Sequence, residues 1–286
     1  VQLTFHRCDG STWQKTTLAK GSSYSLPGVR DAEGYTFMGW STKPMQSVSP
    51  QYEAEEKITV NGNVDLYAVV FNRTTETDLT EDQLPQVDIY KYKQVIFVGD
   101  SRTEFMENVL TGMGESATKN VKFVCSAGKG LDWFTTTGWA QLYSIVQHDS
   151  NSILSKKTAV IFNFGVNDLS KSADYAEYYN WIAPQLKSKG CELYFMSVNP
   201  VNRLMLPNAG RADRSEAAVR SFNQYMKANL SSAYTYIDMY SYLKSTGYSF
   251  ASDHYGTGTV DDGLHYTTRT YKRIFAKCMD SLRVPA

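Results

Sequence analysis

The hydrophobic positions of this chain follow two different rhythms with a polar break between them. Up to about residue 72 the apolar residues come in short runs parted by Gly, Ser and Thr, and no helical period is sustained. These runs, 1–5, 23–26 ahead of Pro27-Gly28, 35–41 and 64–70, with a polar hairpin after the first, predict a small β-rich unit. Residues 73–89 are polar and acidic with little to bury, and read as a linker. From residue 90 onward, strand-like runs over 94–98, 121–126, 158–164, 190–198 and 234–239 alternate with helical patterns over 102–111, 138–149, 173–187, 213–229 and 267–282. Five apolar strands separated by helices predict a parallel, doubly wound α/β sheet of the flavodoxin-like, three-layer kind. The expected division is therefore a β module at 1–72, a linker at 73–89 and an α/β domain at 90–286.

Open α/β sheets present their reactive groups at the carboxyl ends of their strands. The run Val95-Ile96-Phe97-Val98 stops at Gly99-Asp100-Ser101, which sets a serine at that edge. Near the end of the chain, Asp262-Gly263-Leu264-His265 supplies a carboxylate and an imidazole three positions apart. A serine hydroxyl is a poor nucleophile until an imidazole takes its proton, and a carboxylate on the far ring nitrogen fixes the tautomer. Gly128 and Gly165-Val166-Asn167 each follow another strand, where donors to an oxyanion would be needed. The set reads as a serine hydrolase.

Rival residues narrow the assignment. His6 falls in the β module, His148 late in a predicted helix and His254 before a Gly-rich stretch, which leaves His265 as the base. Asp261 adjoins Asp262, but only Asp262 has the three-residue spacing. Asp100 is expected to accept hydrogen bonds at the strand-to-helix turn, and Asp168 to cap the loop after Asn167. The stretch Ser126-Ala127-Gly128-Lys129-Gly130 offers two oxyanion glycines, of which Gly128 is preferred.

Composition adds bounds. The chain has 286 residues, 42% hydrophobic and 20% charged, ample for a large core. Basic and acidic residues balance at 29 each, so the summed charge gives no argument for nucleic acid or an anionic membrane surface. No stretch reaches the length of a membrane span. The chain begins at Val1, so an export signal could have been trimmed. Cys8, Cys125, Cys191 and Cys278 are widely spaced and suggest buried thiols, with neither a zinc site nor a disulfide framework indicated. No metal or cofactor is called for.

Two resemblances follow from these residues. The core Gly34-Tyr35-Thr36-Phe37-Met38-Gly39-Trp40-Ser41, the Leu26-Pro27-Gly28 before it and the closing Leu66-Tyr67-Ala68-Val69 resemble the Listeria/Bacteroides repeat, or internalin B-repeat. That is a β-grasp-like module of bacterial surface and secreted proteins. Gly99-Asp100-Ser101, Gly128, Gly165-x-Asn167 and Asp262-x-x-His265 resemble, in order and spacing, the four blocks of the SGNH hydrolases, the GDSL-type esterases. The resemblance implies Ser101 as nucleophile, His265 as base and Asp262 as its orienting acid. It implies an oxyanion hole from the Ser101 and Gly128 backbone N–H groups and the Asn167 amide. Arg102 departs from the lipase-like pattern, in which a small or aliphatic residue commonly follows the serine.

For the substrate, Trp133 after the glycine loop, and Asn199 and Arg203 after the fourth strand, are expected to rim the pocket with Arg102. The absence of a long apolar lid-like insertion argues against a triglyceride lipase. A surface-type module beside a hydrolase points to an extracellular bacterial enzyme that removes O-acetyl groups from a glycan. A lysophospholipase or thioesterase of the same mechanism is the alternative, and a non-catalytic adhesion or binding protein a lesser one. The β module is expected to act as a spacer or to touch a cell surface or protein partner.

Overall fold

The computed structural model describes residues 1–147, 156–251 and 261–282. The chain resolves into two compact units whose borders do not follow the sequence division: 1–77 with 200–218 and 240–267, and 78–199 with 219–239 and 268–286.

The second unit holds the α/β sheet. Strands β7 (Tyr92–Gly99), β8 (Val121–Cys125), β9 (Lys157–Asn163), β10 (Cys191–Met196) and β11 (Tyr234–Ile237) lie in the order β11-β10-β9-β7-β8, all parallel. The middle strands are buried along nearly their whole length, because helices cover both faces of such a sheet. The helices of the two units are α1 (Ser101–Met113), α2 (Leu131–Trp133), α3 (Trp139–Gln147), α4 (Ser172–Lys187), α5 (Glu216–Asn229), α6 (Met239–Thr246), which after Met239 falls in the first unit, and α7 (Thr268–Ser281). The path from β7 through α1 to β8 runs one way along the sheet, and the path from β9 through α4 to β10 runs the other. Right-handed crossovers then put α1 and α4 on opposite faces, and α7 packs beside α1. The reversal lies between β7 and β9, the edge where such sheets bind ligands. This is the SGNH-type α/β fold. The sequence pattern did not foresee α6, nor the turn of π-helix over Phe134–Gly138 that joins α2 to α3.

The first unit contains the β module: β1 (Gln2–His6), β2 (Thr12–Thr17), β3 (Ser22–Ser25), β4 (Tyr35–Ser41), β5 (Lys57–Val60) and β6 (Val64–Asn72). Four of these form the sheet β2-β1-β6-β4, with β1 and β6 parallel and the other pairs antiparallel, while β3 and β5 pair separately. Trp40 is fully buried at the centre, with ring centroids 4.8 Å from Phe5 and 5.4 Å from Phe37, and its indole N–H donates to Pro27 O at 2.8 Å.

Residues 200–218, 240–251 and 261–267 belong to the same compact unit as this module. The buried Lys244 donates to Met38 O at 2.8 Å and pairs with Glu53 at 2.8 Å and Glu216 at 3.1 Å. Residues 73–89, expected to have little to bury, in fact bury Glu76, Leu84 and Val87, and Glu76 accepts a 2.6 Å hydrogen bond from Ser249 Oγ. A short polar sequence hides such contacts because its partners lie far along the chain. No disulfide joins the four cysteines, and Cys8, against expectation, is exposed because it sits in the turn after β1. Among the described residues no helix is long and apolar enough to cross a membrane.

Truncation of the module's central ring gives a direct test of this core. Trp40→Ala should cost about 3–5 kcal/mol, read as a lower urea midpoint of the intact chain. A loss below about 1 kcal/mol would contradict the packing described.

Candidate active site

Ser101 opens α1, directly after the turn that ends β7. Asp100 caps that helix, its carboxylate accepting from the Arg102 N–H at 3.0 Å, as the sequence suggested. Arg102 is buried and donates to Asn199 O at 2.9 Å, tying the start of α1 to the segment after β10. Glu104, one turn into α1, accepts from the Ala127 N–H at 2.6 Å and so holds the loop that carries Gly128.

The two candidate glycines differ in their surroundings. Gly128 is exposed with φ of +70°, an added Cβ would meet nothing, and its N–H donates to no group among the described residues. Gly130 is a glycine for another reason: a Cβ there would run into the Asp168 carboxylate. That close approach lets Asp168 accept from the Leu131 N–H at 2.9 Å and from Tyr175 OH at 2.7 Å. Asp168 therefore caps α2 rather than its own loop, a correction to the sequence reading, because the glycine admits the carboxylate to the start of α2. Asn167 is half-buried, and its amide donates to Lys129 O at 2.8 Å, joining the loops after β8 and β9. Ser101, Gly128 and Asn167 all follow carboxyl ends of strands in the second unit.

Asp262 and His265 belong to the first unit, and the structure brings them together. His265 Nδ1 lies 2.6 Å from Asp262 Oδ2, and both side chains are buried. Asp262 Oδ1 also accepts from the N–H groups of Leu264 at 2.9 Å and His265 at 2.7 Å. Burial pushes the Asp262 carboxyl up, but the bond to His265, its charge and the two N–H groups outweigh this, and the net direction is down. An ionised carboxylate only accepts, so Nδ1 carries the proton and Nε2 is left as the basic nitrogen.

Sequence reasoning missed Arg211. Its guanidinium lies on Asp262 Oδ2, with Nη2 at 3.1 Å and Nε at 3.2 Å, whereas its 3.5 Å approach to His265 Nδ1 is too long for a working hydrogen bond. It sits in a polar loop about fifty positions before Asp262, and no local pattern marks it. Missed as well was Asp31 of the β module, whose carboxylate meets Arg73 at 2.6 Å.

The expected pocket-rim residues fare differently. Trp133 is half-buried against Phe164, with centroids 6.0 Å apart. The Asn199 side chain is buried, and neither of its amide atoms has a partner among the described residues. Arg203 forms a two-pronged pair with Asp213 at 2.6 Å and lies 3.5 Å from Glu55, which accounts for it without a substrate. The rival His6 bonds Asp65 at 2.8 Å, and His148 and His254 lie outside the described residues.

The family model for GDSL-like lipases and acylhydrolases matches residues 95–278. The chain belongs to this family. A second model, the Listeria-Bacteroides repeat domain, matches residues 2–69. Solved structures similar to this GDSL-family chain include an acetyl xylan esterase, 12% identical with a TM-score of 0.44, which covers 66% of this chain and 99% of its own. The catalytic domain of a Streptococcus pneumoniae peptidoglycan O-acetyltransferase is 16% identical with a TM-score of 0.39, over 68% and 94% of the two chains. A Bacillus subtilis protein is 13% identical with a TM-score of 0.42, over 91% and 79%. A search of curated protein sequences finds no match.

The Asp31 carboxyl carries a pH signature. Burial, and then the nearby Asp261 charge, push it up to about 7, against the pull of Arg73, the Phe37 N–H and Asn202. An unfolded aspartate releases its proton near about 3.9. Between these values the folded protein holds a proton that the unfolded chain has lost, so this contribution to stability is present in acid and is lost as pH rises through about 7. Asp31→Asn cannot ionise. Its urea midpoint relative to wild type should rise between about pH 5 and about pH 8, and a constant or falling difference would contradict the raised value.

Proposed function

We propose that this GDSL-family chain is an extracellular bacterial serine esterase that removes O-acetyl groups from a carbohydrate. The observation that carries the reading is the buried Asp262–His265 pair, with Nδ1 committed to the carboxylate at 2.6 Å. An acid that orients an imidazole this way is the arrangement a serine nucleophile requires. The family pattern then assigns the rest.

Ser101 Oγ attacks the ester carbonyl as His265 Nε2 takes its proton, giving a tetrahedral oxyanion. The Ser101 and Gly128 N–H groups and the Asn167 amide are its donors; a donor of this kind is worth about 3–4 kcal/mol in the transition state. Collapse expels the sugar alkoxide, which receives the proton from His265, and leaves acetyl-Ser101. Water, deprotonated by His265, then releases acetate and restores the serine. Asp262 stays ionised throughout and stabilises the imidazolium. No metal enters this scheme.

The carbohydrate and extracellular parts of the reading are supported by the repeat match at 2–69, a module type of bacterial surface and secreted proteins. The short acyl group is supported by the lack of a lid-like insertion between the motif blocks.

Ser101→Ala and His265→Ala should each abolish hydrolysis of 4-nitrophenyl acetate, and the double variant should be no worse than either single one, because residues that act as a unit are not additive. Turnover should be fastest for acetate and fall through butyrate to octanoate, with acetate released from an acetylated glycan. Preference for octanoate would move the assignment to a lipid or thioester hydrolase. A Ser101→Ala variant with most of its activity would remove the nucleophile.

A further inference from the structure

The turn that carries Asp262 is bracketed by a single carboxylate of the β module. Asp31 Oδ2 accepts from Arg73 Nη2 at 2.6 Å, and the same nitrogen donates to Asp261 Oδ2 at 2.5 Å. Asp31 Oδ1 accepts from Asn202 Nδ2 at 2.8 Å, and the Asn202 N–H donates to Gly263 O at 2.8 Å. The residues on either side of Asp262 are thus both traced back to Asp31. Arg73 is itself fixed, through Nε to Thr36 Oγ1 at 2.9 Å and through its backbone N–H to Gly34 O at 2.9 Å. Asp261 adds a local tie, with Oδ1 accepting from the Gly263 N–H at 3.2 Å.

We propose that Asp31 and Arg73, which lie outside the matched hydrolase segment, are positioning residues for the Asp262–His265 pair, so that the β module completes the catalytic base of the esterase. This rests on the triad reading given above. Asp262 must meet an imidazole nitrogen, two backbone N–H groups and a guanidinium at once, and a displacement of about 1 Å in such a constellation can cost about a hundredfold in rate. Cutting the Arg73 bracket frees one flank of the turn while touching neither Asp262 nor His265.

The test uses the full chain in two readouts, kinetics on 4-nitrophenyl acetate and the Nδ1–H proton resonance of His265 in histidine-labelled protein, assigned by its loss in His265→Gln. Arg73→Met should lower kcat by about tenfold to a hundredfold with KM within about twofold. It should also broaden or abolish the Nδ1–H resonance, while circular dichroism stays that of the wild type. Arg73→Lys, which keeps the charge, should recover part of both.

A folded Arg73→Met with wild-type kcat and an unchanged resonance overturns the proposal, as does a variant that changes KM alone. Should Arg73→Met not fold, Asp261→Asn takes its place: it removes the charge facing Arg73 but keeps an acceptor for the Gly263 N–H, and the same two outcomes decide. If the wild type shows no Ser101-dependent turnover, the esterase reading fails by itself and the resonance alone decides whether the bracket positions the pair.

Discussion

A carboxylate removed from water has to find its stabilisation within the protein, and Asp262 is such a group. Desolvation alone would drive it to hold its proton. It stays ionised because Oδ1 takes two backbone N–H groups from the tight turn that follows it, and Oδ2 takes the His265 ring and Arg211. The three-residue spacing to His265 is a consequence of this. Only a turn that folds back at once can present its own N–H groups to one oxygen and the imidazole to the other. A looser spacing would leave an uncompensated buried charge, which is costly, or a protonated acid that could not hold the imidazole's tautomer.

The same requirement explains why so much polar structure surrounds a short turn. A turn has few apolar side chains with which to fix itself, so its position must come from hydrogen bonds to something rigid. In the first unit that support is the sheet of the β module, through Arg73 beside the end of β6 and Asp31 before β4. In the second unit the loops that carry Gly128 and Asn167 solve the problem among themselves. Glu104 holds the Ala127 N–H, Asn167 reaches Lys129 O, and Asp168 caps α2 across the gap left by Gly130. Each loop is held by a side chain from a neighbouring element.

What was legible in the chain follows from distance along it. The five strands, the serine after β7 and the Asp262–His265 spacing are local patterns, and local patterns survive in a linear reading. Arg211, Asp31 and Arg73 could not be found this way, since what marks them is a partner dozens to nearly two hundred positions away. Residues 73–89 looked empty because the burial of Glu76 is satisfied by Ser249. Arg203 misled in the opposite direction: a cation in a loop after a strand reads as a substrate contact until Asp213 and Glu55 are seen beside it. Helix α6 was missed because its eight residues, Met239 to Thr246, are too few to sustain a period against the strand just before it.

The borders of the compact units bear on what the repeat does for the hydrolase. A module joined to the later segments only through the chain would leave those segments with their own polar groups satisfied. Instead the buried Lys244 depends on Met38 O and Glu53 from the module as well as on Glu216. Asp261, beside Asp262, depends on Arg73. Removing one partner of a buried ion pair commonly costs about 3–5 kcal/mol, because the remaining charge is left without compensation. The segments that carry Asp262 and His265 are therefore built to be complete only against the repeat. The matched hydrolase segment thus divides between the unit that holds the sheet and Ser101 and the unit that holds Asp262 and His265.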